Sequence, residues 1–163
     1  MEEREWERID HLWQFEKYTE ELPMCLVVPG YNNNDKFRIE YNLNSIFQQN
    51  YTNYFAVIIN DASTDNSDEI YRKYLDFYNI DKNKYVYIDN DIRKNALENT
   101  YIAIHKYCSP DSIVVNVDAD DELIGKNVLK IFNAGYQFHK AGVIYSNFYW
   151  YDQGRNIMLG FTS

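Results

Sequence analysis

The sequence predicts an α/β fold: a mostly parallel β-sheet covered by α-helices on both faces. Three observations carry this expectation. Short continuous apolar runs alternate with stripes of helical period, the links between them are short, and polar and acidic residues gather where the apolar runs end. Continuous β-branched runs suit strands buried on both faces. Their alternation with helices is the pattern of a parallel sheet with right-handed crossovers. In such sheets ligands bind outside the carboxyl ends of the strands, where the strand order reverses.

The elements follow in order. Glu2 to Leu22 reads as an N-terminal helical extension, with Trp6, Ile9 and Trp13 at i, i+3, i+7, Leu12 beside them and Pro23 as its stop. Such a stripe packs on its own domain or on a partner. The domain proper spans 23–163. Met24–Val28 is the first strand, and Pro29-Gly30-Tyr31 with Asn32 to Asp35 is the loop after it. Ile39, Leu43, Ile46 and Phe47 mark a helix, and Phe55–Ile59 is the second strand, running into Asn60 and Asp61. Ser63, Thr64 and Asp65 are cap candidates for a helix with the stripe Ile70, Tyr74, Phe77 and Tyr78. Tyr85–Ile88 is the third strand, and Leu97, Tyr101, Ile104 and Cys108 form the stripe of the next helix. Ser112–Val117 is the fourth strand, ending on Asp118-Ala119-Asp120-Asp121. Val128, Leu129, Phe132 and Tyr136 mark a further helix, and Val143–Ser146 a fifth strand.

The chain of 163 residues is long enough to bury a core without disulfide staples. With 45% hydrophobic and 17% aromatic residues it is not a disordered chain. Its 16 basic and 25 acidic residues leave a formal charge of −9, without a Lys/Arg run, which excludes a nucleic-acid-binding surface. No stretch approaches the roughly 20 apolar residues of a membrane span, and Met1 to Arg8 is charged where a signal peptide is apolar. The expected location is therefore the cytoplasm or its membrane face. Cys25 and Cys108 fit no metal spacing and are expected as two buried free thiols. His11, His105 and His139 are too scattered to be ligands.

The chemistry sits at the predicted strand ends. Gly30 permits close approach of backbone to a ligand, and Tyr31 offers an aromatic face to a planar base. Asp61 can accept from a base imide or a ribose hydroxyl, or cap a helix. Asp118, Asp120 and Asp121 are three carboxylates in four residues after an apolar strand. Charges that close raise each other's pKa, and a cation between them relieves the repulsion. Oxygen ligands on one side suit Mg²⁺ or Mn²⁺, with phosphate oxygens completing the shell. An acidic protein handling an anionic substrate also needs such local neutralisation. The alternative at each position is a solvated turn or a cap. Neither the dinucleotide fingerprint G-x-G-x-x-G nor a P-loop is present, and there is no G-x-S-x-G elbow.

CLVVPGYNN, IINDASTDNSDEI, VVNVDADDEL and VIYS, in this order and each at a strand or strand end, resemble family 2 glycosyltransferases of the GT-A fold. The resemblance covers about Met24 to Asn147. It implies that Pro29, Gly30 and Tyr31 form the uracil-contacting turn and that Asp61 pairs with the uracil ring. It implies that Asp118, Ala119 and Asp120 are the D-x-D element, holding ribose and a divalent metal on the diphosphate, with Asp121 as a further metal-side carboxylate. The cofactor expected is Mn²⁺ or Mg²⁺, the partners a UDP-sugar donor and an acceptor hydroxyl, and the reaction a single inverting displacement. The departures are Asn60 for the first Asp of the D-D pair, Ala62 for Gly, and Glu98 for the Arg of A-R-N before the matching Asn99. Arg93 or Lys94 is the substitute candidate for the phosphate-facing charge. In the family the acceptor half and its general base follow the fifth strand, and Asp152 is the only acid in this tail. The chain is thus expected to bind donor and to transfer sugar poorly by itself. The rival reading is a non-catalytic nucleotide-sugar or protein-binding module. A phosphoacceptor domain also clusters Asp at strand ends, but it wants a Lys after its last strand, where Asn147 stands.

Overall fold

Four of the apolar runs form one parallel sheet in the order β3-β2-β1-β4. The computed structural model describes residues 17, 20–35, 37–146, 149–151 and 158–160. Its elements are β1 (Met24–Gly30), α1 (Arg38–Phe47), β2 (Tyr54–Asn60), α2 (Ser67–Phe77), β3 (Tyr85–Asp89), α3 (Asn95–Tyr107), β4 (Ile113–Asn116) and α4 (Val128–His139). A separate antiparallel pair joins β5 (Tyr149–Tyr151) to β6 (Met158–Gly160). The expected α/β class and the four parallel strands are observed.

β1 is the centre of the sheet and every one of its residues is buried. Alternate residues face opposite layers. Met24, Leu26 and Val28 pack with Ile39, Leu43 and Ile46 of α1, Tyr71, Tyr74 and Leu75 of α2, and Leu129 of α4. Cys25 and Val27 join Val57, Ile59 and Ala103 of α3 on the other face. Each fully buried aliphatic side chain stabilises the fold by about 1.5–3 kcal/mol. Pro29 also has a place in this scheme. The carbonyls of Val27 and Pro29 accept from Val117 and Ala119, so this side of β1 faces β4. Pro29 has no N–H to offer there, and the regular pairing of β1 with β4 ends at Val27 opposite Asn116.

Several expectations are corrected. In α2 the buried residues are Ser67, Tyr71, Tyr74 and Leu75, while Phe77 and Tyr78 are 79% and 57% exposed. In α3 Leu97 and Tyr101 are 84% and 61% exposed, and the helix turns Asn99 and Ala103 inward instead. The small Ala103 lets α3 approach the sheet, and Asn99 finds a polar partner in Asn90. Cys25 and Cys108 are not free thiols but a disulfide, with Cα atoms 5.6 Å apart across a sequence separation of 83. The end of α3 returns to the start of β1, a proximity that linear spacing does not display. Val143–Ser146 is not a strand, and Val143 and Tyr145 are 80% and 81% exposed. β propensity expresses fit to a pleated, half-buried surface, and among the described residues this segment has no strand to pair with.

The N-terminal helix predicted over Glu2 to Leu22 falls, but for Lys17 and Glu20–Leu22, outside the described residues. Glu20–Leu22 are not helical. They form a strap: Asn133 and Gln137 of α4 donate to the Glu20 carbonyl, and Tyr51 Oη donates to that of Leu22. The Glu21 carboxylate accepts from the Thr52 N–H and hydroxyl and the Asn53 N–H.

Candidate functional site

The loops after β1, β2, β3 and β4 meet at the carboxyl end of the sheet, and the order reverses between β1 and β4. Their first residues prolong the ladder. Asp61 N–H donates to the Gly30 carbonyl at 2.8 Å, Asn90 N–H to that of Asn60 at 2.9 Å, and Ala119 N–H to that of Pro29 at 3.1 Å. Pro29 and Gly30 therefore lie between the Asp61 loop and the acidic turn. A Cβ on Gly30 would stand 2.6 Å from Tyr71 Oη and 2.7 Å from the Ala119 Cβ. Glycine is thus required here by packing beneath the turn. The Tyr71 hydroxyl is buried without a hydrogen-bond partner. Burial, then the charges of Asp120 and Asp65, push its pKa up.

The loops after β1 and β2 interlock. Asn32 N–H donates to Ser63 Oγ, Asn33 N–H to Ser67 Oγ and Asn34 N–H to the Asp65 carboxylate, while Thr64 N–H donates to Asn32 Oδ1. Asp65 also accepts from the N–H of Ser67, the first residue of α2, while the N-cap position itself is Asn66 and not one of the three candidates. Tyr31 follows β1, half-buried, and the Arg93 guanidinium lies 3.7 Å from its ring centroid. Two predicted site residues from different loops are therefore in contact. A cavity of about 470 Å³ beside them is lined by Asp89, Asn90, Asp91, Ile92, Arg93, Lys94 and Glu98.

Asp61 is 3% exposed. Its Oδ1 accepts from Lys94 N–H at 2.8 Å and from Asn90 Nδ2 at 2.9 Å, and its Oδ2 from Asn95 N–H at 2.8 Å. It thus caps α3, one helix further on than local sequence suggests. Burial pushes its pKa up, but the polar groups of Asn99, Lys94, Asn90 and Asn95 outweigh this and hold it below the usual carboxylate range. Asn60 supports the same corner, donating to Asp89 at 2.8 Å and accepting from Ser63 Oγ.

The acidic turn is the opposite case. Asp118, Asp120 and Asp121 are exposed around the buried Ala119. Asp121 N–H donates to the Asp118 carbonyl at 2.9 Å and closes the turn. Burial, then the charges of Asp120 and Asp118, raise the Asp121 pKa. Arg38 of α1 lies 3.8 Å from Asp120 and 3.6 Å from Asp35. Among the described residues no three Asp, Glu, His or Cys side chains converge as a metal cage. One or two open carboxylates are what Mg²⁺ or Mn²⁺ takes when substrate phosphates and water complete its shell. The acidic turn fits a divalent cation held jointly with a diphosphate.

Asn42 and Asn90 escaped the sequence reading, whereas Asn99 was singled out there as the matching Asn of A-R-N. The signal for Asn42 was available: a polar residue on the apolar stripe of α1, three residues from Ile39 and four from Ile46. Asp152 and His11 lie outside the described residues, as does the structure of Asn147. His105 is exposed and stacks on Tyr101.

A parallel sheet whose order reverses beside polar and acidic loops defines an α/β domain with its ligand crevice at the carboxyl ends of the strands. The chain belongs to glycosyl transferase family 2, whose model matches residues 25–161. Among solved structures it is similar to a mannosyltransferase of Pyrobaculum calidifontis in complex with GDP-Man and Mn²⁺, at 19% identity and TM-score 0.62. That match covers 78% of this chain and 39% of the other. It is similar also to S. aureus TarS 1–349 in complex with UDP-GlcNAc, at 26% identity and TM-score 0.57, covering 73% of this chain and 32% of that one. The chain therefore spans about two fifths or less of the length of these neighbours. No curated protein sequence is significantly similar to it. No described helix is long and apolar enough to cross a membrane.

Proposed function

We propose that this domain binds the nucleoside-diphosphate sugar donor of a glycosyltransferase, and that the whole reaction moves the sugar to an acceptor hydroxyl by a single inverting displacement. The observation that carries the reading is the exposed, mutually repelling turn Asp118–Asp121 at the sheet's reversal in a family 2 chain. Asp118 and Asp120, with Asp121 beside them, would hold Mn²⁺ or Mg²⁺ against the diphosphate. When bound, the cation stabilises the charge that develops on the leaving diphosphate. Pro29, Gly30 and Tyr31 form one wall for the nucleobase, Arg93 supplies positive charge from the facing loop, and Asp61 fixes the backbone of that loop. An acceptor-side carboxylate takes the hydroxyl proton; no described residue is assigned to it.

Neighbours in complex with GDP-Man and with UDP-GlcNAc support nucleotide-sugar binding and leave the base to experiment. We favour UDP, on the resemblance of the Pro29–Tyr31 turn to the uracil-contacting turn. Calorimetric titration of the 163-residue chain with UDP and with GDP, in Mn²⁺ and then in chelator, tests the assignment. The expected result is binding of UDP that chelator abolishes. Equal affinity with and without metal overturns the cation assignment, and preference for GDP overturns the base. Product analysis with UDP-sugars and acceptors then separates donor binding from transfer.

A further inference from the structure

Asn42 lies within the apolar stripe of α1, wholly buried. Its Nδ2 donates twice across the core, to the Asp118 carbonyl at 3.0 Å and to the Asp121 carbonyl at 2.8 Å. These are the first and last residues of the acidic turn, and the hydrogen bond from Asp121 N–H to the Asp118 carbonyl lies between them. One amide thus clamps both ends of the turn. Its own Oδ1 is buried without a partner, so the side chain is oriented by its donors alone. Ser45 further along α1, and Gln49 two residues past its end, treat the following segment in the same way. Ser45 Oγ accepts from Leu123 N–H, Gln49 Nε2 donates to the Gly125 carbonyl, and Gln49 Oε1 accepts from Leu129 N–H. Positions 42 and 45 are i and i+3 on one face of α1, and position 49 follows just past the helix end. Together they form a polar ladder that lays residues 118–129 along α1 in register.

Only the first rung touches the acidic turn. We infer that Asn42 is a positioning residue: by fixing the carbonyls of Asp118 and Asp121 it sets the direction in which the carboxylates of that turn meet a divalent cation and a diphosphate. The inference rests on the donor-site reading above. It extends that reading to a residue on another element, one that makes no contact with the donor. Fixed backbone carbonyls turn the Asp side chains outward, and a cation between repelling carboxylates needs them held there. Supporting groups of this kind typically govern metal affinity by about 10- to 100-fold.

The test is Mn²⁺ titration of the 163-residue chain in the presence of UDP, followed by water-proton relaxation, with thermal unfolding on the same samples. Asn42→Leu keeps the side chain's heavy-atom count and branching and removes the clamp. It is expected to weaken Mn²⁺ binding by about 10- to 100-fold. Ser45→Ala removes the next rung, and is expected to lower the melting temperature while leaving Mn²⁺ affinity at the wild-type value. An Asn42→Leu protein that binds Mn²⁺ like wild type overturns the inference and leaves the donor reading standing. A wild-type chain without Mn²⁺ binding overturns the donor reading and this inference with it. If Asn42→Leu does not fold, the wild type still decides. The Asn42 side-chain amide resonances are expected to shift when Mg²⁺ and UDP are added, while those of Gln49 stay; unchanged Asn42 resonances overturn the inference.

Discussion

Two groups of aspartates stand at the same end of one sheet, and the protein treats them in opposite ways. Asp61 is buried and gives both oxygens to its own chain, through Lys94 N–H, Asn90 and Asn95 N–H. Asp118, Asp120 and Asp121 reach the surface, and partial burial, then the charges of Asp120 and Asp118, push the pKa of Asp121 up. In the first case the fold satisfies the charge. In the second it holds the backbone, through Asn42, and leaves the carboxylates at the surface, with only long contacts from Asn116 to Asp118 and from Arg38 to Asp120. A strand-end carboxylate is thus not by itself a binding residue. What separates the two roles is whether short hydrogen bonds in a buried setting already fill its oxygens.

Removing Asp61 should produce the largest loss of stability. Asp61→Ala strands two backbone N–H groups at the start of α3 and the amide of Asn90. Hydrogen bonds to a charged group are worth about 1.5–3 kcal/mol, and a helix cap about 0.5–2 kcal/mol. Unfolding in denaturant should show a loss of about 3 kcal/mol, within the range of such bonds once sharing is allowed for. A stable Asp61→Ala that has lost only UDP affinity would return Asp61 to direct base recognition and dissolve the contrast.

The complementary change is Asp118→Asn with Asp120→Asn. Replacing both carboxylates relieves repulsion, so the melting temperature should hold or rise. Mn²⁺-dependent UDP affinity should fall by at least about tenfold, equivalent to about 1.4 kcal/mol. Calorimetry and thermal unfolding on one preparation check both halves. A falling melting temperature with unchanged affinity would make the acidic turn a structural element like Asp61.

Acid titration sharpens the comparison further. Asp61 and Asp65 have lowered folded pKa values: burial raises each, but hydrogen bonds from Asn99, Lys94, Asn90 and Asn95 for the first, and from Ser67 and Asn34 for the second, outweigh it. Their stabilisation is complete above the unfolded value of about 3.9 and is lost as pH falls through the lower folded values. Asp121 is raised, so its ionisation opposes folding. Its contribution improves as pH falls from its folded value towards about 3.9. Stability should therefore change little or rise slightly just above pH ~4 and then fall steeply below it. Asp121→Asn should remove the rise, and Asp61→Ala should flatten the fall.

The sheet was legible because continuous apolar runs and short links state it directly. Met24–Val28, Phe55–Ile59, Tyr85–Ile88 and Ser112–Val117 all lie in or against observed strands. The site's loops were legible for the same reason, since they begin where those runs stop. Helix faces were less so. In α3 the apolar Leu97 and Tyr101 face solvent because Asn99 has polar company inside, which hydropathy alone does not reveal. The partners of Asp61 and Asn42, and the disulfide of Cys25 with Cys108, join segments far apart in sequence. Such pairings depend on the strand order, which the local pattern does not encode. Val143–Ser146 had the composition of a strand without a neighbour to make it one.

The smallest expected effect concerns the contact between Tyr31 and Arg93, which belongs to neither aspartate group. The guanidinium sits 3.7 Å from the ring centroid, and Arg93 is exposed. Cation–π contacts at exposed sites are worth about 0.5–1 kcal/mol, so Arg93→Ala should cost no more than that in stability. Its effect on UDP binding depends on what the ring does. If the base stacks on the face that Arg93 covers, the guanidinium must leave first, and Arg93→Ala should leave affinity unchanged or improve it. If the base uses the other face, Arg93 stays stacked behind the ring, and its loss removes both support and positive charge near the diphosphate. Arg93→Lys keeps the charge without the flat stacking surface, so it separates the two contributions. UDP and uridine titrated against wild type, Arg93→Ala and Arg93→Lys give the answer. The donor reading expects a loss with UDP in Arg93→Ala that is smaller with uridine, which carries no phosphate. A loss equal for both ligands would assign Arg93 to the base and not to the diphosphate.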